Sequence, residues 1–321
     1  MIDVWVTSSE GGVQGDYPVE RISDALDAGE SLLWVDVVDP TPDELRLIAD
    51  EFQFHPLAME DAVRLNQRPK VDFYKSFMFI VFYVFEMEDE RLQARQLSIF
   101  AGKNFLVTVH DAAMPAVSET AERWRNVATR SSANGVDWLL HTLLDAVVDG
   151  YFPVVDLVSD RIDDLESQIF NHYQRGVQQE IFTIRRDLLA VRRVLSPERD
   201  VMNVLLRPGS PVLGDETSAY FQDVYDHILR IIDAIDIDRD LLSSALDAYL
   251  SVTSNRLNQT MKTLTASSII LMTMTLVAGV YGMNFVHMPE LTWEFGYAWA
   301  LALMAAIAVV FIVIFRRIDW I

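Results

Sequence analysis

The sequence predicts an α+β fold: an N-terminal α/β domain, a long helical hairpin, and a stalk helix that continues into the first of two membrane helices. Three observations predict it. Short runs rich in β-branched and aromatic residues alternate with short helical patterns over residues 1–112. Helical periodicity then dominates as far as residue 281. The apolar runs at residues 263–281 and 297–315 lack Asp, Glu, Lys, Arg and His, and each is about long enough to cross a bilayer.

The α/β domain is predicted over residues 1–112. Thr41 precedes Pro42 and two acidic residues, a pattern typical of a helix with an N-cap, a first-turn proline and charges that suit the helix dipole. His55 and Pro56 begin a second short helix. The predicted strands cover residues 2–6, 31–38, 77–86, 92–101 and 104–110.

A helical region is predicted over residues 113–216, with a helix at 115–130 and two arms at 136–172 and 177–206. Gly150 and Pro153 are positions where the first arm can bend. A short turn joins the arms, so we expect an antiparallel hairpin. Acids occupy the first arm and arginines the second, which predicts ion pairs between the arms. The acids are Asp156, Asp160, Asp163, Asp164 and Glu166, and the arginines are Arg185, Arg186, Arg192 and Arg193.

One uninterrupted helix is predicted from residue 218 to residue 281, as a cytoplasmic stalk (217–262) continuous with the first membrane helix (263–281). At 100° per residue, a stripe of mainly polar side chains lies along one side of this helix, each within about 60° of a common line. The stripe contains Asp226, Asp233, Asp240, Asp247, Ser254, Asn258, Met261, Ser268, Met272 and Gly279, with Leu264 and Thr275 just beside it. Ser and Thr could simply bond backbone carbonyls, but the added amides and carboxylates indicate the wall of an ion path shared by several copies of the chain.

Charge predicts the orientation in the membrane. Arg256 and Lys262 precede the first apolar run, and Arg316 and Arg317 follow the second. The connecting loop, residues 282–296, contains acids but no Lys or Arg. The positive-inside rule therefore predicts a multi-pass protein of the cell (inner) membrane with both termini, including the tail 316–321, in the cytoplasm. The N-terminus has no signal-peptide pattern, so we expect the part before residue 263 to stay in the cytoplasm.

Composition limits the partners. The formal net charge of −21 argues against nucleic acid, which needs a basic surface, and is compatible with attraction of cations. The chain has no cysteine, so a metal ion would need oxygen ligands or histidine. Gly282 carbonyls and Asn284 amides, repeated around a ring, would offer neutral oxygens that suit a hydrated divalent ion.

The segment around these residues resembles the signature of the CorA magnesium transporters. It reads Tyr281-Gly282-Met283-Asn284-Phe285, followed by Met288-Pro289-Glu290-Leu291. The likeness extends to the cytoplasmic part through His55-Pro56-Leu57, Glu60-Asp61, Gln67-Arg68-Pro69-Lys70 and Asp223-Val224-Tyr225-Asp226-His227.

The resemblance implies a funnel-shaped homopentamer that transports Mg²⁺ and closes when internal Mg²⁺ is high. It implies an ion filter at Gly282, Met283 and Asn284, and pore positions at Asp247, Asn258, Met261, Leu264, Met272 and Thr275. It also implies regulatory metal sites between subunits, at Asp61 and Asp223 with Glu60 and Asp145 as lesser candidates. Carboxylates facing across an interface repel each other unless a metal bridges them, so internal Mg²⁺ would hold the ring closed.

Three positions depart from the family pattern. Val286 stands where many members have an acid, so we expect attraction of external ions to rest on Glu290 and Glu294. Thr273 stands where a proline can occur, and the C-terminal tail is less basic than is usual in the family.

Alternatives stay open at this point. The nearest is transport of another divalent ion on the same fold, such as Co²⁺ or Ni²⁺ uptake or Zn²⁺ efflux, although the lack of Cys and the scarcity of His argue against a path for soft metals. A membrane-anchored hydrolase would need a catalytic motif, and the sequence contains no Walker loop, no His-Glu-x-x-His and no Gly-x-Ser-x-Gly. We therefore do not expect an enzyme. An acidic membrane scaffold would not explain amides in apolar surroundings.

Overall fold

The computed structural model describes residues 1–7, 12–29, 31–64, 66–88, 91–127, 135–171, 176–207, 214, 216–284, 288 and 293–320. The chain forms two compact units. The first contains Met1–Gln168 and Gln174–Ser243, and the second contains Ile169–Tyr173 and Ser244–Ile321.

A single mixed sheet organises the first unit. In the described part of the chain its order is β2-β1-β3-β7-β6-β5-β4, with β3 and β7 parallel and every other pair antiparallel. The strands are β1 (Ile2–Thr7), β2 (Val13–Gln14), β3 (Leu33–Val38), β4 (Lys70–Phe73), β5 (Phe77–Glu88), β6 (Arg91–Gly102) and β7 (Phe105–His110). The five strands predicted from sequence are confirmed, whereas the short edge strands β2 and β4 were not predicted.

Helices cover the sheet, and β5 and β7 are buried along nearly their whole length. Continuous apolar runs are typical of strands that are covered on both faces. The helices are α1 (Ile22–Ala28), α2 (Pro42–Glu51), α3 (Pro56–Val63), α4 (Pro115–Val127), α5 (Val136–Asp149), α6 (Tyr151–Asn171), α7 (Val177–Leu205), α8 (Ser218–Tyr281) and α9 (Gly296–Arg317).

The start of α2 forms as its sequence predicts. The Thr41 hydroxyl accepts a hydrogen bond from the Glu44 N–H, and the Glu44 carboxylate accepts one from the Thr41 N–H at 2.8 Å. This reciprocal arrangement satisfies two backbone donors that a helix N-terminus otherwise leaves free. The predicted start of α3 is also confirmed, with His55 as the N-cap and Pro56 as the first helical residue.

The arm predicted as one helix from residue 136 is two helices, α5 and α6, that meet at Gly150. Gly150 closes α5 through a hydrogen bond from its N–H to the Ala146 carbonyl at 3.2 Å. Pro153 falls in the first turn of α6, where a helix does not need the missing N–H. The sequence predicts a bend at Gly150 and Pro153, and the structure has the end of one helix and the start of the next at this place.

A buried carboxyl ties the hairpin to the sheet. Glu198 of α7 is fully buried and accepts a hydrogen bond from the Tyr83 N–H of β5 at 2.8 Å. Its other oxygen lies 3.2 Å from the hydroxyl of Tyr151 on α6, and that hydroxyl also donates to the Tyr83 carbonyl. Burial raises the pKa of Glu198 well above its ordinary value because it disfavours the charged form of the carboxyl.

The second unit contains the two apolar helices, which are long and apolar enough to cross a membrane. On each of them, one stripe of side chains is buried or half-buried. On α9 the stripe is Gly296, Ala300, Leu303, Met304, Ile307, Ala308, Phe311 and Phe315. On α8 it contains Ala266, Ile270, Thr273, Met274 and Val277. Because these helices are the only long elements described in this unit, we infer that the two stripes face each other.

The end of α9 turns back onto α8. Asp319 adopts a left-handed conformation, with φ 54°, and the Trp320 N–H bonds the Phe315 carbonyl at 2.9 Å. The rings of Phe315 and Trp320 stack with centroids 5.6 Å apart, which completes a Schellman-type helix end with its apolar contact. The Trp320 carbonyl then accepts a hydrogen bond from the Thr263 hydroxyl of α8 at 3.4 Å.

Candidate ion path

The predicted ion-path residues lie on the side of α8 opposite its buried stripe. Taking Met261 as the reference at 100° per residue, Leu264, Met272 and Thr275 fall within about 60° of it. Ala266 and Ile270, in contrast, lie about 140° and 180° away. Asp247 and Asn258, the lower positions of the path, are also exposed. The helix therefore uses one face to pack and leaves the other, polar at both ends, available for contact with other molecules.

Large apolar side chains on this face have no cover within one chain. Met261, Leu264 and Met272 are 52%, 59% and 71% exposed. Exposing such apolar side chains to water is unfavourable, so we expect this face to contact lipid or further copies of the chain. Asp247 and Asn258 belong to the same face, in the part of α8 that precedes the apolar run 263–281.

The hydroxyl groups in this stretch donate to the backbone of their own helix. Ser268 donates to the Leu264 carbonyl at 2.8 Å, and Thr275 donates to the Leu271 carbonyl at 2.9 Å. Thr263, Ser267 and Thr273 make the same bond to the carbonyl four residues earlier. Their donors are thus satisfied within the helix. On the path side, the remaining lone pairs of Ser268 and Thr275 could accept hydrogen bonds from the water of a hydrated cation.

The mouth of the candidate path follows the end of α8. The Gly282 N–H bonds the Ala278 carbonyl at 2.9 Å, and the Met283 N–H bonds the Val280 carbonyl at 3.3 Å. A β-carbon at Gly282 would lie 3.1 Å from the Ala278 oxygen, so a side chain there would crowd this turn. Gly282, Met283 and Asn284 are all exposed. The loop residues Phe285, Val286, His287 and Glu290 lie outside the described residues.

The first pair of predicted regulatory residues lies on α3. Asp61 forms an ion pair with Lys70, whose Nζ lies 2.7 Å from its Oδ2, and Glu60 pairs with Arg64 at 3.1 Å. Partial burial alone would lower the pKa of Lys70, but its hydrogen bonds to Asp61 and Asp72 raise it. Lys70 therefore stays protonated beside Asp61, and a metal ion at Asp61 would have to bind next to this positive charge or displace it.

The second pair of predicted regulatory residues, Asp145 and Asp223, belongs to a different cluster, between α5 and α8. Asp145, Asp149 and His227 each offer a ligand atom, and these atoms lie within 4.8 Å of one another. His227 Nδ1 is 3.5 Å from Asp149, and its Nε2 is 3.8 Å from Asp223. Burial, followed by the nearby charge of Asp149, raises the pKa of Asp145. The arrangement concentrates negative charge that a cation would relieve.

The structure therefore brings Asp145 and Asp223 into one neighbourhood and leaves Asp61 and Glu60 in another. Within the described residues, no hydrogen bond or ion pair joins the two groups. Sequence reasoning missed Asp149 and His227 as parts of the cluster. A signal existed, because each stands four residues after a predicted ligand, on the same face of its helix.

The family of CorA-like Mg²⁺ transporter proteins matches residues 29–317 of this sequence. That span includes the α/β domain from residue 29 onwards, the hairpin and both apolar helices.

The chain belongs to the CorA-like Mg²⁺ transporter family.

Among relatives, the cobalt/magnesium transport protein CorA of Thermotoga maritima is 36% identical over 280 residues, which cover 87% of this chain and 80% of the relative. CorA of Methanocaldococcus jannaschii is 28% identical over 295 residues, 90% of this chain and 92% of that protein. The complete structure of the M. jannaschii transporter superposes with a TM-score of 0.85 and covers 100% of this chain and 99% of that one. The predicted fold is confirmed by this match: an α/β domain, a long helix that continues into an apolar stretch, and a C-terminal apolar helix.

Proposed function

We propose that this CorA-family chain forms a homopentameric channel that admits Mg²⁺ into the cell, driven by the membrane potential. The observation that carries the proposal is the unburied polar face of α8, which ends at Gly282, Met283 and Asn284. A ring of copies would enclose this face and convert each of its residues into a ring of ligands around one axis. Family membership and two helices able to cross a membrane support the same conclusion.

Each level of the path would have its own task. The carbonyl and amide oxygens at Gly282 and Asn284 would hold a hydrated Mg²⁺ weakly enough to release it. Met261 and Leu264 would form an apolar constriction that closes by losing its water. Asn258 would receive the ion below the constriction, and Asp247 would attract it towards the cytoplasm.

Internal Mg²⁺ would act as the regulatory ligand. In this proposal Asp61 and Glu60 on α3 of one subunit face the Asp145–Asp223 neighbourhood of the next, and a bound Mg²⁺ bridges them. The separation of the two groups within one chain supports a bridge between chains. Binding would favour the closed ring, and loss of Mg²⁺ would release it. Uptake of Co²⁺ or Ni²⁺ through the same path remains part of the proposal, whereas Zn²⁺ efflux is not favoured.

Substitution of the filter amide tests the proposal. In proteoliposomes loaded with a Mg²⁺-sensitive dye, Asn284→Ala should abolish influx because the ring loses its amide oxygens. Asn255→Ala is the matched control, since Asn255 is an exposed amide on α8 about 120° from Met261. Influx through Asn284→Ala at the rate of the unmodified protein would remove the amide ring from the mechanism. Repeating the assay with Co²⁺ and Ni²⁺ ranks the transported ions.

A further inference from the structure

The charges on the α6–α7 hairpin are arranged differently from the sequence prediction, and they remain available for a partner. The pairs between the arms run with the opposite polarity. Arg161, on the acidic arm, binds Glu180 at 2.6 Å and Asp187 at 3.2 Å on α7. Arg192, on the arginine arm, binds Asp236 of α8 instead.

Two faces of opposite sign are left over. We call Asp156, Leu157, Asp160 and Asp164 of α6 the acidic face, and Phe182, Arg186, Leu189 and Arg193 of α7 the basic face. All eight side chains are exposed. Within the described residues, none of their five charged groups takes part in an ion pair. Leu157, Phe182 and Leu189 are 40%, 50% and 48% exposed, so each face also carries uncovered apolar surface.

We propose that the acidic face of one subunit docks on the basic face of the next copy around the ring. The occupant follows from charge complementarity. The chain has a net charge of −21, so a basic face on a neighbouring acidic subunit is a favourable place for an acidic surface. The contact joins two different faces, and such a head-to-tail contact closes into a ring when the rotation permits.

The two faces also lie at matching heights along the hairpin. Arg161 reaches both Glu180 and Asp187, so residue 161 lies level with about residue 184 of the antiparallel arm. By the same count, Asp160 is level with about residue 185 and Leu157 with about residue 188. Rotation about an axis parallel to the hairpin keeps these heights. It would bring Asp160 opposite Arg186 and Leu157 opposite Leu189 of the next copy.

The chain lacks cysteine, which permits a clean cross-linking test in the full-length protein. Leu157→Cys and Leu189→Cys, combined in one chain and treated with a short bismaleimide in lipid nanodiscs, should give a ladder of covalent oligomers up to the size of the ring. Either single variant can give at most dimers. A double variant that yields only monomers from an intact ring overturns the proposal.

Charge reversal tests whether the faces attract each other. Arg186→Glu with Arg193→Glu, added to the cysteine pair, should lower the ladder yield at least about threefold, and Asp160→Arg with Asp164→Arg should restore it. Arg46→Glu, on the exposed surface of α2, is the matched control and should leave the yield unchanged. If the reversed arginines leave the ladder yield unchanged, the proposal is overturned. It is also overturned if Asp226→Arg with Asp233→Arg, on α8, restores the yield, because the basic face would then dock on the stalk.

The inference rests on the ring proposed above, and the two can fail separately. Native mass spectrometry of the unmodified protein reports the ring itself. A monomer by that measurement removes both. An intact ring without the ladder removes only the docking of the two faces.

Discussion

Glu198 is a residue whose pKa depends on the fold around it. The Tyr151 hydroxyl donates to the Tyr83 carbonyl and lies 3.2 Å from the Glu198 carboxyl, and burial at this place disfavours the charged form of that carboxyl. The folded pKa is raised above the ordinary value of 4.5. The contribution of Glu198 to the free energy of unfolding is therefore fully present below that value and is lost as pH rises towards the folded pKa.

Glu198→Gln should remove this pH dependence because the amide is neutral at every pH. We expect the variant to gain thermal stability relative to the unmodified protein as pH rises from about 5 to about 8. Thermal unfolding of the detergent-solubilised protein measures the difference, and Glu119→Gln, at an exposed site, is the control. A difference that is the same at every pH would contradict the assignment. Glu198→Leu leaves the Tyr83 N–H without an acceptor and should cost about 1–3 kcal/mol.

Lys70 occupies the position next to the proposed sensor residue Asp61. Its ammonium partly neutralises the carboxylate, so it competes with a divalent ion at the same oxygen. Lys70→Met should therefore let internal Mg²⁺ close the channel at a lower concentration, by up to about fivefold, which corresponds to the ~1 kcal/mol upper range for part-exposed ion pairs.

The measurement is inhibition of influx in proteoliposomes as internal Mg²⁺ is varied. Lys103→Met, on the exposed turn between β6 and β7, is the matched control. Inhibition at a higher concentration than in the unmodified protein would show that Lys70 supports the metal site and does not oppose it.

At the scale of elements, α8 shows why some of the site is predictable from sequence. Its bounds follow from the absence of proline and from uninterrupted apolar and polar periodicity between residues 218 and 281. The same periodicity places Met261 and Leu264 on one side of the helix, so a path face can be predicted before the structure is known. Edge strand β4 has only four residues and a mixed pattern, so nothing in its sequence distinguishes it from a loop.

The apolar constriction gives a prediction for this helix. Leu264→Thr keeps a side chain on the proposed path but adds a hydroxyl that holds water, so the closed state should leak. We expect a higher residual influx at internal Mg²⁺ concentrations that close the unmodified channel. Val309→Thr makes a comparable change on an exposed position of α9 and should not leak. Equal leak in the two variants would mean that Leu264 does not line the path.

At the scale of the whole molecule, contacts between elements decide what the sequence cannot. The sequence indicates that the hairpin carries opposite charges on its arms, but Arg161 pairs across the arms only because packing points it at Glu180 and Asp187. Likewise, Asp149 and His227 become neighbours only when α5 lies beside α8. Patterns within one helix are local and can therefore be recognised in the sequence. Pairings between helices depend on how each helix is rotated about its axis and shifted along it, and the pattern of a single helix does not specify this.

Orientation in the membrane is the remaining property of the whole molecule, and it decides which side senses Mg²⁺. Lys262, Arg316 and Arg317 predict that both termini face the cytoplasm, with Glu294 outside. Each exposed site can carry the single cysteine of the chain. In intact cells, a membrane-impermeant maleimide should label Glu294→Cys directly and Asp319→Cys only after permeabilisation. The reverse pattern would place Asp61 and Asp223 outside the cell, and a channel closed by internal Mg²⁺ could not then use them as its sensor.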